Sequence, residues 1–317
     1  MSCTEVRSAY NVSQLRTQFA DHRTVGYLIL FYPLVSMVNE WWISRRGFAW
    51  GIMLASSGAS GLAYPFVDEA LLHKYGYKTT LRAMAIATVV LTGPLLPFMV
   101  GRLPASPSAR LAKTDWSFVK KPLFWLYVTS TLAQSLGFYL PTLYLPSYAS
   151  AIGLSSSLGA MLVAIMSVSS ALGQLTYGYL SDGRLPLNLL LISTSGAAAI
   201  ASLTLWGLAK SLAPLIVFAL IYGFFAYSYL AMRPRMGTAV AHEQGDAMTM
   251  FCIYCSVQGI GNVLAGPISG ALLHSTLDTG DYGLSRYKAM IIFTGLAMVV
   301  SACSVGLSHF ISTKKSR

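Results

Sequence analysis

Charge is the first thing this chain lacks. Only 10% of its 317 residues are Asp, Glu, Lys or Arg, against about 25% in ordinary soluble domains. A surface so poor in charge cannot face water on all sides, which excludes a soluble globular domain and leaves a bilayer as the better solvent. Metal-ligating patterns are missing as well. His22, His73, His242, His274 and His309 fall in loops or at helix ends, none at metal spacing with another ligand. No glycine-rich phosphate loop followed by Lys occurs, so this chain does not encode an ATP-driven pump. Cysteine is sparse: Cys252 and Cys255 form a "CIYC" spacing inside an apolar run with no second pair, and they read as small interior residues, not as a redox or zinc site. Catalytic residues, cofactors and metal ligands are therefore not expected. The polar first 23 residues have no apolar core and do not read as a secretory signal peptide.

What the chain has instead is long apolar runs. A helix needs about 20 mostly apolar residues to cross the hydrocarbon core. Nine runs meet that need: Thr24–Ile43, Phe48–Val67, Thr80–Gly101, Leu123–Pro146, Leu158–Leu180, Leu187–Leu208, Leu212–Met232, Ala247–Leu273 and Ala289–Ile311. None shows the two-residue alternation of a transmembrane strand. The expected fold is all-α and integral to the membrane. Thirteen of the 22 Lys and Arg residues fall on the side that holds Arg45 and Arg46, so that side is expected to be cytoplasmic. The net charge of +11 then lies at membrane edges, where anionic lipid attracts it. Lipid is the expected partner, and nucleic acid is not.

One internal stretch is hydrophilic, "GRLPASPSARLAKTDWSFVKKP" from Gly101 to Pro122. It divides the chain into a polar tail (1–23), a three-helix part (24–101), a cytoplasmic linker (102–122), a six-helix part (123–311) and a basic tail (312–317). Many transporters consist of two six-helix halves joined by such a loop. The first half here reads as incomplete.

In the second half, "YGYLSDGRLP" ends an apolar run at Tyr177–Pro186. A carboxylate at such a turn can accept hydrogen bonds from the free amides at a neighbouring helix N-terminus and meet its positive dipole end. A solvated turn charge is the plainer alternative. Gly178, Asp182 and Arg184 resemble the signature loop of the major facilitator superfamily, with Gly183 where that loop usually has its first basic residue. The resemblance implies a conformational latch at these three residues. Phe31–Ile86, with Pro33, Trp41, Trp42, "RRG" at Arg45–Gly47, three glycines and Pro65, resembles fungal monocarboxylate-transporter-like proteins from their fourth helix onward. "GIGNVLAGPISGALL" at Gly259–Leu273 resembles their eleventh helix. The family commonly has Gly-Arg in the middle of the eighth helix, where this chain has Gly173 and Gln174, so the resemblance speaks for the fold more than for an anionic substrate.

Gly47 and Gly51, and again Gly266 and Gly270, have the spacing that lets helices pack closely in lipid. With Gly58, Gly61, Pro65 and Pro267 they can also serve gating bends. Polar side chains inside apolar runs tend to face a bundle or cavity. Gln134, Gln174, Tyr222, Tyr227, Gln258 and Asn262 fit that description, either as interhelix hydrogen bonds or as solute contacts. No Asp, Glu or His stands mid-helix to couple protons, and the coupling ion is left open. Asn11 begins an "NVS" glycosylation triplet on the expected outer side.

Together these features predict a multi-pass protein, expected in the plasma membrane, that moves a small organic solute by alternating access. That solute is monocarboxylate-like or an exported secondary metabolite. The alternative is a truncated, non-transporting partner or regulator of a full-length carrier, or an inactive product.

Overall fold

The computed structural model describes residues 45–98, 116–183, 185–240, 244–274 and 283–315, with isolated positions between 31 and 42. All regular structure among them is helical. Helix α1 covers Arg46–Thr92 and leads into a 3-10 turn at Gly93–Phe98. A second 3-10 turn, Trp116–Lys120, precedes α2 (Pro122–Phe138) and α3 (Leu140–Ala151). Then come α4 (Ser156–Ser181), α5 (Leu187–Ile200, continued by a π-turn at Ala201–Trp206) and α6 (Leu212–Ala231). A short α7 (Arg233–Val240) and the long α8 (Gln244–His274) and α9 (Ser285–Lys315) follow.

Six stretches among the described residues are long and apolar enough to span a membrane: Lys74–Pro97, Ser156–Ser181, Leu187–Trp206, Leu212–Ala231, Asp246–His274 and Ser285–Leu307. They correspond to the third and the fifth to ninth runs of the sequence. Most of the first run lies outside the described residues.

Two expectations are corrected. A loop was expected between Val67 and Thr80, but α1 continues through it and breaks at Gly76 alone (φ 72°, ψ 170°). The segment Glu69-Ala70-Leu71-Leu72 consists of strong helix formers; only the glycine readily takes positive φ. The fourth run was expected as one helix, but it is divided at Tyr139 into α2 and α3. Pro141 is the cause, because it has no amide proton and its ring clashes with the carbonyl one turn earlier, while it is well tolerated in the first turn of the helix that follows.

The chain divides into two compact units, Met1–Ser44 with Leu81–Ala109, and Arg45–Thr80 with Arg110–Arg317. The sequence placed the division at the linker. Arg45–Thr80 groups instead with the six-helix part, for a reason that lies in its glycines, described below. In the smaller unit, Ile86, Val89, Val90 and Leu91 are exposed, a surface that lipid can cover. The larger unit has two apolar cores. One gathers Phe138, Tyr148, Trp206, Phe218 and Tyr222. The other gathers Phe118, Phe124, Tyr127, Tyr229, Met232, Met236 and Tyr254.

Candidate functional site

The first amides of a helix have no partner within it. At the start of α1, the amides of Gly47 and Phe48 donate to the two carboxylate oxygens of Asp182, at 2.7 and 2.8 Å. Asp182 caps the C-terminus of α4, its own amide bonded to the Tyr179 carbonyl. A negative charge there opposes the dipole of α4 but favours that of α1.

Glycines bring the two helices together. A Cβ on Gly47 would stand 2.8 Å from Asp182 Oδ1 and nearer still to Ser181 Oγ. On Gly51 it would stand 2.6 Å from the Gln174 carbonyl, and on Gly58 2.7 Å from that of Ser167. Gly178 approaches the Gly47 carbonyl and Gly51 Cα in return, while Gly61 makes only ordinary contact with Ser167. The seam therefore fits glycine on α1 against a stripe of small residues on α4. Gly266 and Gly270 differ: nothing stands within 4 Å of a Cβ placed on either, so no described element packs tightly there. Pro267 lies inside α8. Arg184 and Asn11 lie outside the described residues, as do the surroundings of Pro65.

The polar residues singled out in the sequence fall into three groups. Tyr222 and Tyr227 are engaged structurally: Tyr222 donates from its hydroxyl toward the Gly137 and Phe138 carbonyls at 3.2 and 3.3 Å, and Tyr227 shares a 2.8 Å bond with Thr142. The Gly137 carbonyl is the one that Pro141 leaves without its helical donor, so Tyr222 repairs the break. Gln134, Gln174 and Asn262 each bury an amide oxygen without a partner, and Gln134 donates its nitrogen to the Ala226 carbonyl at 3.2 Å. Gln258 alone meets a charge, accepting a hydrogen bond from Arg233.

Arg233 is the residue that sequence reading passed over, because it counted only as a basic loop residue. It is 4% exposed. Its Nη1 reaches Gln258, whereas Nε and Nη2 are buried with no partner. The Cys255 thiol and the phenols of Tyr229 and Tyr139 lie close enough to act on its charge. Burial pushes the guanidinium pKa below its ordinary value, and Cys255 and Tyr229 act the other way. Tyr229 in turn opens a chain of hydroxyls, Tyr229–Ser130–Ser301–Ser195, with links of 3.0, 2.9 and 3.1 Å that tie together α6, α2, α9 and α5. The signal for Arg233 was its position: "MRPRM" continues directly from a buried aromatic helix.

Residues 25–257 match the family model of the Major Facilitator Superfamily. The chain is 26% identical over 288 residues to the protein named MFS transporter asaE of Aspergillus flavus, covering 89% of this chain and 63% of that protein. It is 25% identical over 298 residues to the Fujikurins efflux protein of Gibberella fujikuroi, with 92% and 61% covered. To the Aspyridones efflux protein apdF of Emericella nidulans it is 26% identical over 281 residues, with 87% and 55% covered. The chain thus spans about three fifths of the length of these relatives.

Proposed function

The chain belongs to the major facilitator superfamily, and from that premise we propose that this multi-pass membrane protein serves secondary transport, exporting a small organic solute of the secondary-metabolite kind. Relatives whose names describe efflux of such compounds support the direction and the class. The residues expected on the cytoplasmic side include Arg45, Arg46, Lys120 and Lys121, and the expected location is the plasma membrane.

One observation carries the mechanistic part: both oxygens of Asp182 hold the N-terminus of α1 against the end of α4. Alternating access requires contacts that form in one conformation and break in another. A carboxylate disfavoured by its own helix and favoured by a neighbour's amides is suited to that task, because separation costs it two hydrogen bonds and a dipole at once. In this reading Gly178, Asp182 and Arg184 are the latch, and Gly47 is the position on α1 that receives Asp182. Gln134, Gln174 and Asn262 supply acceptors along the solute path.

The test is flux in proteoliposomes. Wild-type chain should show saturable uptake or efflux of at least one member of a solute panel of small organic acids, amides and secondary metabolites. Asp182→Asn keeps the side-chain shape but turns an NH2 toward an amide donor. Charge-assisted hydrogen bonds contribute about 1.5–3 kcal/mol, so flux should fall by about tenfold at unchanged insertion. Saturable flux that is indifferent to Asp182→Asn removes the latch, and no saturable flux for any solute removes the transport reading.

A further inference from the structure

Arg233 presents a buried cation with three of its five N–H donors, those on Nε and Nη2, unused. A buried charge is normally paired, since removing it from water is costly. Among the described residues no carboxylate is part of its surroundings, which are Gln258, Cys255, Tyr229 and Tyr139. Met232 and Met236, on neighbouring turns of the chain, show that this core accepts purely apolar side chains. Packing alone therefore gives no reason for a guanidinium here.

The unused donors are not scattered over the group. Nε and Nη2 form one edge of the planar guanidinium, with two N–H bonds pointing the same way, the edge that grips a carboxylate by two parallel hydrogen bonds. The opposite end, Nη1, is held by Gln258. Gln258 thus fixes the orientation of the fork while leaving its carboxylate-binding edge open. A second orphan donor lies in the apolar core that holds Tyr229: the Tyr254 hydroxyl is buried without a partner.

We infer that Arg233, oriented by Gln258, is a binding site for the ionised carboxyl group of an organic cargo whose apolar body lies among the aromatic side chains of the same core. This rests on the transport reading for its purpose but not for its detection. The cation is placed at the junction of α6 and α7, not in the middle of α4, where Gln174 carries no charge.

Cys255 provides a reporter that requires no flux. Purified chain is treated with N-ethylmaleimide, and alkylation of Cys255 is followed by peptide mass spectrometry in the presence of benzoate or its neutral analogue benzamide. Benzoate is expected to slow alkylation of Cys255 at least threefold, with benzamide having no effect. Arg233→Gln should abolish the protection, and Arg233→Lys, which keeps the charge but not the two-pronged edge, should retain only part of it. Equal protection by the two compounds, or by neither, overturns the assignment with the wild-type protein alone, even if the variants fail to fold. Protection by phosphatidylglycerol added in mixed detergent micelles but not by benzoate assigns the cation to a lipid headgroup and overturns it too. Protection without saturable flux leaves the site standing and removes the transport reading; flux without protection does the reverse.

Discussion

At the scale of single residues, the chain places its few charges where a helix end can use them. Asp182 stands at the wrong end of its own helix and the right end of another, so its stability depends on α1 remaining in place. Gly47 makes the approach possible. A methyl group there would fall within 3.0 Å of Asp182 Oδ1, and the carboxylate would have to withdraw from both amides. Gly47→Ala should therefore lower the apparent melting temperature of the purified chain more than Asp182→Ala does, because its Cβ would also stand 2.6 Å from the Gly178 carbonyl, and the double variant should lose less than the sum of the two, since both disturb the Asp182 contact. Fully additive shifts would mean that glycine and carboxylate act independently. Asp182 was legible in the sequence because an acid is rare in this chain and this one ends an apolar run. Arg233 was not, because its burial follows from how the next helix, α8, folds back over it through Gln258, and one sequence read alone cannot show which of several basic turn residues is covered.

At the scale of elements, breaks in helices are local and have nameable causes. Pro141 leaves the Gly137 carbonyl without a helical donor, and the Tyr222 hydroxyl supplies one from α6. A neutral hydrogen bond of this kind is worth about 1 kcal/mol. Tyr222→Phe should destabilise the chain by about that amount in the wild-type background and by clearly less in Pro141→Ala, where the backbone can restore its own bond. An equal cost in both backgrounds would separate Tyr222 from the break. Gly76 is the other case: at φ 72° a side chain strains the backbone although nothing crowds it within 4 Å. Gly76→Ala should cost about 1–3 kcal/mol through conformation alone, measured as a loss of thermal stability that Gly76→Asn does not recover, because at ψ 170° the backbone lies outside the left-handed helical well that Asn tolerates. The periodic apolar runs were legible because hydrophobic length sets them. The unbroken course of α1 past Val67 was less so, since Asp68 and Glu69 read as a loop by polarity although their neighbours favour helix.

At the scale of the whole molecule, alternation of the spans fixes which connections share a side, and within the larger unit the contacts agree with that alternation. The Lys121 ammonium donates to the Val240 carbonyl at 2.7 Å, and Asp182 meets Gly47, all at one set of helix ends. At the other set, the Tyr148 hydroxyl donates to the Ala209 carbonyl at 2.9 Å, and a Cβ on Gly283 would lie 3.7 Å from the Gly207 carbonyl. Contacts fix the pairing of connections, but only charge asymmetry orients them, and more Lys and Arg lie on the Lys121 side. Leu185 and Leu208 flank the span Leu187–Trp206 and are both exposed, which makes them suitable reporters. In intact cells, a membrane-impermeant maleimide should label Leu208→Cys above the wild-type background. Leu185→Cys should be labelled only after permeabilisation. The reverse pattern would invert the membrane orientation and move Asp182 and its α1 contact to the outer face, where the same contact would close the opposite side of the pathway.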